Sequence, residues 1–283
     1  MKFLAIAILI LATSLTSFSQ DYAQQIYETE RAFEREVAEK GIREAFIKYL
    51  SPVGVMFRPE PVVGRAWWSS RPKSPAALTW NPIRIVVSEN GALAYSVGNS
   101  IYKPKGPTDT DEFYGHYLSI WNRQADGQYL AALDVGINHP KQSPVEANWK
   151  PGTDPSPNKN EKHLVASESS IGFYRMAEER GLSKAYKAYA ADDIFLMRDE
   201  NLPVAGRDAA AKFTGDQKLA IKFAKRRSFV EAGDLAWVHS QYSLRDKDGT
   251  EKESGNYVQV WTLRNGKWLI AADVFIAIPP PKS

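Results

Sequence analysis

Apolar positions along this chain follow two regimes, helical and then alternating, and the succession occurs twice. From Tyr22 to Lys40, Ile26, Phe33 and Val37 recur at the three-and-four spacing of one helix face. Gly41 follows, the residue type that commonly ends a helix. Ile42, Ala45, Phe46 and Tyr49 keep helical spacing and predict a second helix at once. A short strand, "GVMFRP", comes next, then a short third helix after Gly64. "IRIVVS", "LAYSVGNSIY", "GHYLSIWN" and "YLAALDVG" then alternate as strands, with glycine turns between them. The order returns with Leu182, Ala185, Tyr186 and Tyr189 as a helix face, "IFLMRD", a helix after Gly206, and the strands "AKRRSFVEAG", "LAWVHSQYSL", "GNYVQVWTL" and "KWLIAADVF".

The two halves are copies. Phe33, Gly41, Ala45, Tyr49 and Arg58 recur 140 residues later as Phe173, Gly181, Ala185, Tyr189 and Arg198, and Gly115, Tyr117 and Trp121 recur as Gly255, Tyr257 and Trp261. Gly64-Arg65 and Gly91 return at an offset of 142, and Asp134 returns as Asp273 at 139. Drift this small belongs in loops, and a period this long marks a duplicated domain rather than a solenoid. Five prolines between Pro140 and Pro157 block helix and sheet ladders and predict an extended linker over 140–160. Lys2 followed by the apolar run Phe3–Leu11 and the small residues Ser17 and Ser19 reads as a signal peptide over 1–19, too short to span a bilayer. The expected organisation is therefore signal peptide 1–19, first domain 20–139, linker 140–160 and second domain 161–283, in an exported protein, periplasmic or extracellular, with no membrane anchor once the signal is removed.

Helices first and strands after define an α+β unit with helices on one face of a sheet. The element order, the motif "GxYxxxWxxxxGxWxxAxD" and "AF..YL" resemble the nuclear transport factor 2-like superfamily and, within it, the SnoaL-like domains. The resemblance covers nearly all of both copies. It implies two tandem cone-shaped domains, each a curved antiparallel sheet packed on two or three N-terminal helices around an apolar pocket. It also implies pairing through the sheets, as an intramolecular pseudo-dimer or as a homodimer. It leaves function open, because one fold of this kind hosts isomerases, cyclases, dehydratases and non-catalytic binding domains.

Composition narrows the chemistry. The chain has no cysteine, so it has no disulfide, thiol nucleophile or cysteine metal site. A net charge of +3 gives no nucleic-acid signature, and the basic run Lys222–Phe229 reads as a solvated strand edge or loop. His116, His139, His163 and His239 lack metal-ligand spacing, and no phosphate loop, GxSxG or cofactor motif is present. The expected ligand is a small hydrophobic or anionic molecule, with no metal and no cofactor.

The duplicated hairpin carries the candidate site. "RNGK" suits a two-residue type I′ turn at Asn265-Gly266, which pairs Arg264 with Lys267, Trp261 with Ile270 and Val258 with Asp273. Asp273 then shares a face with Val258 and Phe275, where a carboxylate needs a partner: an ion pair with Arg198, or a role as base or ligand anchor. The first-copy loop, "NRQADGQ", is one residue longer, which predicts a bulge or wider turn. With register otherwise kept, Asp134 pairs with Leu118, and His116 lies diagonally across from Asp134 as an acid–base pair. The second copy has Asn256 in place of His116, so the first copy is the catalytic or ligand-specific candidate. Arg58 and Arg198 end equivalent strands and can pair with the aspartates or clamp a carboxylate. Tyr49 and Tyr189 can point hydroxyls into the cones. Trp67, with Trp68 and Trp80, can line or cover the first pocket, and His239 has no evident partner. Three functions stay open: a binding module, an acid–base isomerase, cyclase or dehydratase using His116 and Asp134, and a structural tandem with filled cones.

Overall fold

The structure, a computed structural model, describes residues 2–141 and 165–279, with side chains from Asp21 onward in the first stretch. The signal-like segment continues the first helix in its backbone, and its side chains lie outside the described residues, as does most of the expected linker. Among the described residues no helix is long and apolar enough to cross a membrane.

In the first copy, α1 (Lys2–Lys40) ends at Gly41, whose φ of 95° suits only glycine, and α2 (Ile42–Tyr49) starts at the next residue. Gly181, at φ 88°, makes the same joint between α4 (Ala166–Arg180) and α5 (Leu182–Tyr189). The remaining first-copy elements are β1 (Leu50–Phe57), β2 (Pro61–Val63), α3 (Gly64–Ser69), β3 (Ala77–Val87), β4 (Leu93–Lys103), β5 (Phe113–Arg123) and β6 (Tyr129–His139). They form a six-stranded sheet of order β2-β1-β6-β5-β4-β3. The second copy adds β7 (Ala190–Arg198), β8 (Val204–Ala205), α6 (Arg207–Asp216), β9 (Ala220–Phe223), β10 (Ser228–Ala232), β11 (Leu235–Arg245), β12 (Glu251–Arg264) and β13 (Lys267–Ala277). Its sheet runs β10-β11-β12-β13-β7-β8, with β9 beside β11. The fold is α+β with two tandem cones, as expected, but neither sheet is purely antiparallel. β1 pairs parallel with β6, and β7 with β13, because each is reached from the helices rather than through a hairpin. The basic run Lys222–Phe229 spans the loop between β9 and β10, where Arg227 covers the Tyr174 ring at 4.1 Å.

One device in each long hairpin overturns the expected register. Asn265 and Gly266 take φ of 50° and 72°, as a type I′ turn requires, and Trp261 does pair with Ile270. Beyond that point a β-bulge at Ala271 shifts the ladder by one, so Asp273 faces Gln259 and not Val258. A matching bulge at Ala132 sets Asp134 opposite Ser119 and not Leu118. A slip of one residue exchanges the two faces of a strand. Both aspartates therefore point into their cones, while Val258, Val260 and Val274 join the opposite face.

That opposite face is where the copies meet. Leu118, Ile120 and Leu133 of the first sheet and Val258, Val260 and Val274 of the second belong to one buried cluster. The two cones thus pack back to back through their sheets within one chain. Each fully buried side chain of this size contributes roughly 1.5–3 kcal/mol. Polar contacts at the rim fix the alignment. Asn256 Nδ2 donates to Pro59 O at 2.7 Å and Gln241 Nε2 to Glu60 Oε2 at 2.7 Å. Asn138 bonds both ways across the rim, its N donating to Asp199 Oδ1 at 3.0 Å and its carbonyl accepting from Glu200 N at 2.8 Å.

Candidate functional site

The equivalent aspartates meet opposite surroundings. In the second cone Asp273 is fully buried and saturated. It accepts from Arg198 Nη1 at 3.2 Å, from the Tyr186 hydroxyl at 2.9 Å and from Gln259 Nε2 at 2.8 Å. Arg198 also donates to the Tyr186 hydroxyl at 2.7 Å and lies 3.7 Å from the centre of the Phe275 ring. Burial opposes the charge on Arg198, but Tyr186 and Asp273 outweigh it. Phe275 and Tyr242, ring centres 4.3 Å apart, occupy the rest of the cone. Among the described residues, the pocket that Arg198 and Phe275 line there holds about 60 Å³, too small for an organic ligand. Of the two roles open to Asp273 and Arg198, the structure shows the ion pair. Neither residue offers a free group to a ligand.

The first cone has the same backbone and different fillings. Gly136 stands where Phe275 stands, Ser100 where Tyr242 stands, and Phe46 where Tyr186 stands. The result is a cavity of about 240 Å³, walled by Phe33, Phe46, Trp80, Tyr117 and Trp121 and opening past Arg58, Tyr102, Gly136 and Asn138. Asp134 lies on its wall with accessible surface and accepts one side-chain hydrogen bond, from Ser119 Oγ at 2.6 Å. Burial raises its pKa, while Ser119 and the charge of Arg58 oppose the rise. Arg58 is exposed at the mouth. It donates to its neighbour's carbonyl, Phe57 O, at 2.6 Å, and makes no ion pair among the described residues. Burial of its inner side lowers its pKa, which the charge of Asp134 counters. Arginine stays charged throughout the accessible pH range.

Behind this wall lies a second acid. Glu30 is fully buried on α1 and accepts from the Tyr117 hydroxyl at 2.5 Å. Burial drives its pKa up to about 7, against hydrogen bonds from Ser96 and Tyr117. Ser96 Oγ in turn accepts from Trp121 Nε1 at 2.9 Å. The cavity wall therefore rests on a polar layer buried beneath it.

The remaining sequence candidates disperse. His116 and Asp134 project from opposite faces of the sheet, so the expected acid–base pair does not exist. The bulge at Ala132 separates them. His116 faces the junction between the copies, where its Nδ1 lies 2.7 Å from His139 Nε2 and its ring 5.7 Å from Phe195. His139 Nδ1 lies 2.7 Å from Pro140 O, so it is the protonated nitrogen and Nε2 accepts from His116. Burial and the nearby His139 lower the pKa of His116 to about 4. His239 occupies the same junction, stacked on Trp237 and edge-on to Phe57, because β11 turns that face outward from its cone. Tyr49 stacks on Phe33 at 4.7 Å and borders a separate surface groove with Gln25 and Gln128. Tyr189 packs against Phe173 and Trp261 in the filled cone. Trp67 sits between Arg58 and Arg71, at 5.1 and 4.6 Å, beside the mouth. Trp80 lines the cavity, and Trp68 packs on Phe46 behind it.

Four cavity features escaped the sequence reading, and two kinds of signal marked them. Glu30 lies on the apolar stripe of Ile26, Phe33 and Val37, four residues after the first and three before the second, so an acid was written into a buried helix face. Gly136, Ser100 and Phe46 stand out once the copies are aligned residue by residue against Phe275, Tyr242 and Tyr186. Among the described residues no cluster of acids and histidines has the makings of a metal site.

The geometry defines a tandem of cone domains, one open and one filled. Several solved structures resemble parts of the chain. A nuclear transport factor 2-like protein from Pseudomonas putida KT2440 is 18% identical, matching 43% of this chain and 93% of its own length with a TM-score of 0.35. A ketosteroid isomerase-like protein from Erwinia carotovora atroseptica is 22% identical over 43% of this chain and 99% of its own, with a TM-score of 0.35. A nuclear transport factor 2-like protein from Cytophaga hutchinsonii is 14% identical over 41% of this chain and 100% of its own, with a TM-score of 0.34. Each spans about the length of one copy. No family model and no curated protein matches the chain.

Proposed function

We propose that this protein binds a small, largely apolar molecule in the first cone, and that the second cone serves as scaffold. The observation that carries the reading is the contrast between equivalent sites. The first cone has about 240 Å³ of space with Asp134 on its wall, bonded to Ser119 and in no ion pair among the described residues, where the second has Phe275, Tyr242 and a closed Arg198–Asp273 pair. Aromatic walls with a few convergent polar groups suit a small organic ligand. Asp134 and Ser119 offer it polar groups for orientation on the wall. An enzyme built on His116 and Asp134 has no support in this arrangement. Export of the chain, with residues 1–19 removed, remains part of the proposal, and N-terminal sequencing of the protein from fractionated cells tests it directly.

The binding test is a thermal-shift screen of hydrophobic acids, steroids and aromatics on the full chain and on Gly136→Phe. A Cβ at Gly136 would meet only His116 O at 3.4 Å, so the backbone accepts a side chain there and the phenyl ring fills the cavity as Phe275 fills its counterpart. Compounds that stabilise the wild type should leave the variant unshifted. Equal shifts in both proteins would place binding elsewhere and sink the reading.

A further inference from the structure

Arg58 is the one cationic side chain among the described residues that line the first cavity. Its counterpart Arg198 is consumed by Asp273, Tyr186 and Phe275, whereas Arg58, beside the Trp67 ring, has neither carboxylate nor hydroxyl bound to it among the described residues. It stands at the rim, exposed, above walls made by Phe33, Phe46, Leu78 and Trp80. With Nη1 spent on Phe57 O and the Trp67 ring 5.1 Å away, the guanidinium keeps Nε and Nη2 for an anionic group, with an apolar chamber directly beneath. Asp134 lies deeper on the same wall, so a second negative charge inside the chamber is repelled.

The position of Arg58 is not set by its own domain alone. The turn that follows it, Pro59-Glu60, is held from the second copy. Asn256, fully buried, donates to Pro59 O, and Gln241 donates to Glu60 Oε2, each at 2.7 Å. Phe57, the residue before Arg58, packs against His239 of the second copy at 5.8 Å between ring centres. Asn256 is the residue at which the second copy departs from His116, and His116 makes a different bond, to His139. The exchange of histidine for asparagine thus provides the donor that reaches the Arg58 turn.

We infer that the ligand of the first cone is an amphipathic organic monoanion, its apolar body in the chamber and its anionic group on Arg58, and that Asn256 of the second copy is a positioning residue for that arginine. This rests on the binding reading above and goes further in naming the ligand class and a role for the scaffold domain.

A matched pair of fluorescent probes separates the two claims: 8-anilinonaphthalene-1-sulfonate, an anion, and N-phenyl-1-naphthylamine, the same body without the sulfonate. Titrated into the full-length protein, the anion should bind more tightly than the neutral probe. Arg58→Gln should weaken the anion by about tenfold or more, the scale of one lost charged hydrogen bond, and leave the neutral probe within about twofold. Asn256→Ala should lower the anion-to-neutral affinity ratio without moving the neutral probe, a change that general loosening of the fold would not produce. If Asn256→Ala does not fold, Gln241→Ala, which releases Glu60 alone, carries the same comparison. Equal loss of both probes in Arg58→Gln, or no loss of either, overturns the inference while the cavity reading stands. Binding of both probes that survives Gly136→Phe overturns the cavity reading itself.

Discussion

Replacing Glu30 with glutamine should make this protein more stable in alkaline solution and leave it nearly unchanged in mild acid. Glu30 is fully buried beneath the first cavity, and burial lifts its pKa from an ordinary 4.5 to about 7. The unfolded chain releases this proton near 4.5, whereas the folded chain holds it until about 7. Between those values the folded state binds more protons than the unfolded state, so stability falls as pH rises. One pH unit of such a difference is worth about 1.4 kcal/mol, so the whole window removes about 3 kcal/mol by the time Glu30 is ionised. Glutamine is isosteric with the protonated acid and retains an oxygen to accept from the Tyr117 hydroxyl, at 2.5 Å from the carboxylate in the wild type. It has no proton to lose. Urea unfolding at pH 5 should give similar midpoints for the two proteins. At pH 9 the variant should retain about 3 kcal/mol more, or a melting temperature higher by about 6–12 °C for a chain of this size. Other titrating groups are common to both proteins and cancel in the difference. Parallel stability profiles from pH 5 to 9, or a variant weaker than wild type at pH 9, would refute the argument, because either result requires Glu30 to titrate as an ordinary exposed acid.

The two hairpin aspartates should part company under the same substitution. Asp273→Ala strands Arg198 in the filled cone and should cost about 3–5 kcal/mol in urea unfolding, whereas Asp134→Ala removes one hydrogen bond at an open wall and should cost about 1 kcal/mol. Equal losses would contradict the contrast drawn between the cones. His116→Asn should weaken the junction between the copies by about 1–3 kcal/mol through the bond to His139. Because His116 faces away from the cavity, the affinity for any cavity ligand should stay within about twofold, the energy of coupling between distant sites being small. A larger change in affinity would restore His116 to the binding site.

Local sequence pattern was enough for the duplication, the order of the helices and the long strands, the glycine joints at Gly41 and Gly181, the Asn265-Gly266 turn and the α+β class, but not for the short strands β2, β8 and β9. These are written in local pattern: apolar spacing, backbone freedom at glycine, and residue-by-residue correspondence between the halves. The partner of Asp273 was also within reach, because Arg198 ends a neighbouring strand. The facing of the hairpins was not. Whether Asp134 looks toward His116 or toward Ser119 depends on a single extra residue, Ala132, and an alanine in a bulge leaves no mark that distinguishes it from an alanine in a regular strand. The burial of the opposite face selects the bulge: with it, valine and leucine meet across the two sheets and the aspartates turn inward, and without it the carboxylates would be pressed into an apolar junction. The opening of one cone likewise emerges only from the packed fold. Gly136 and Phe275 are equally acceptable on a strand, and the space that one leaves and the other fills exists only once the helices close over the sheet.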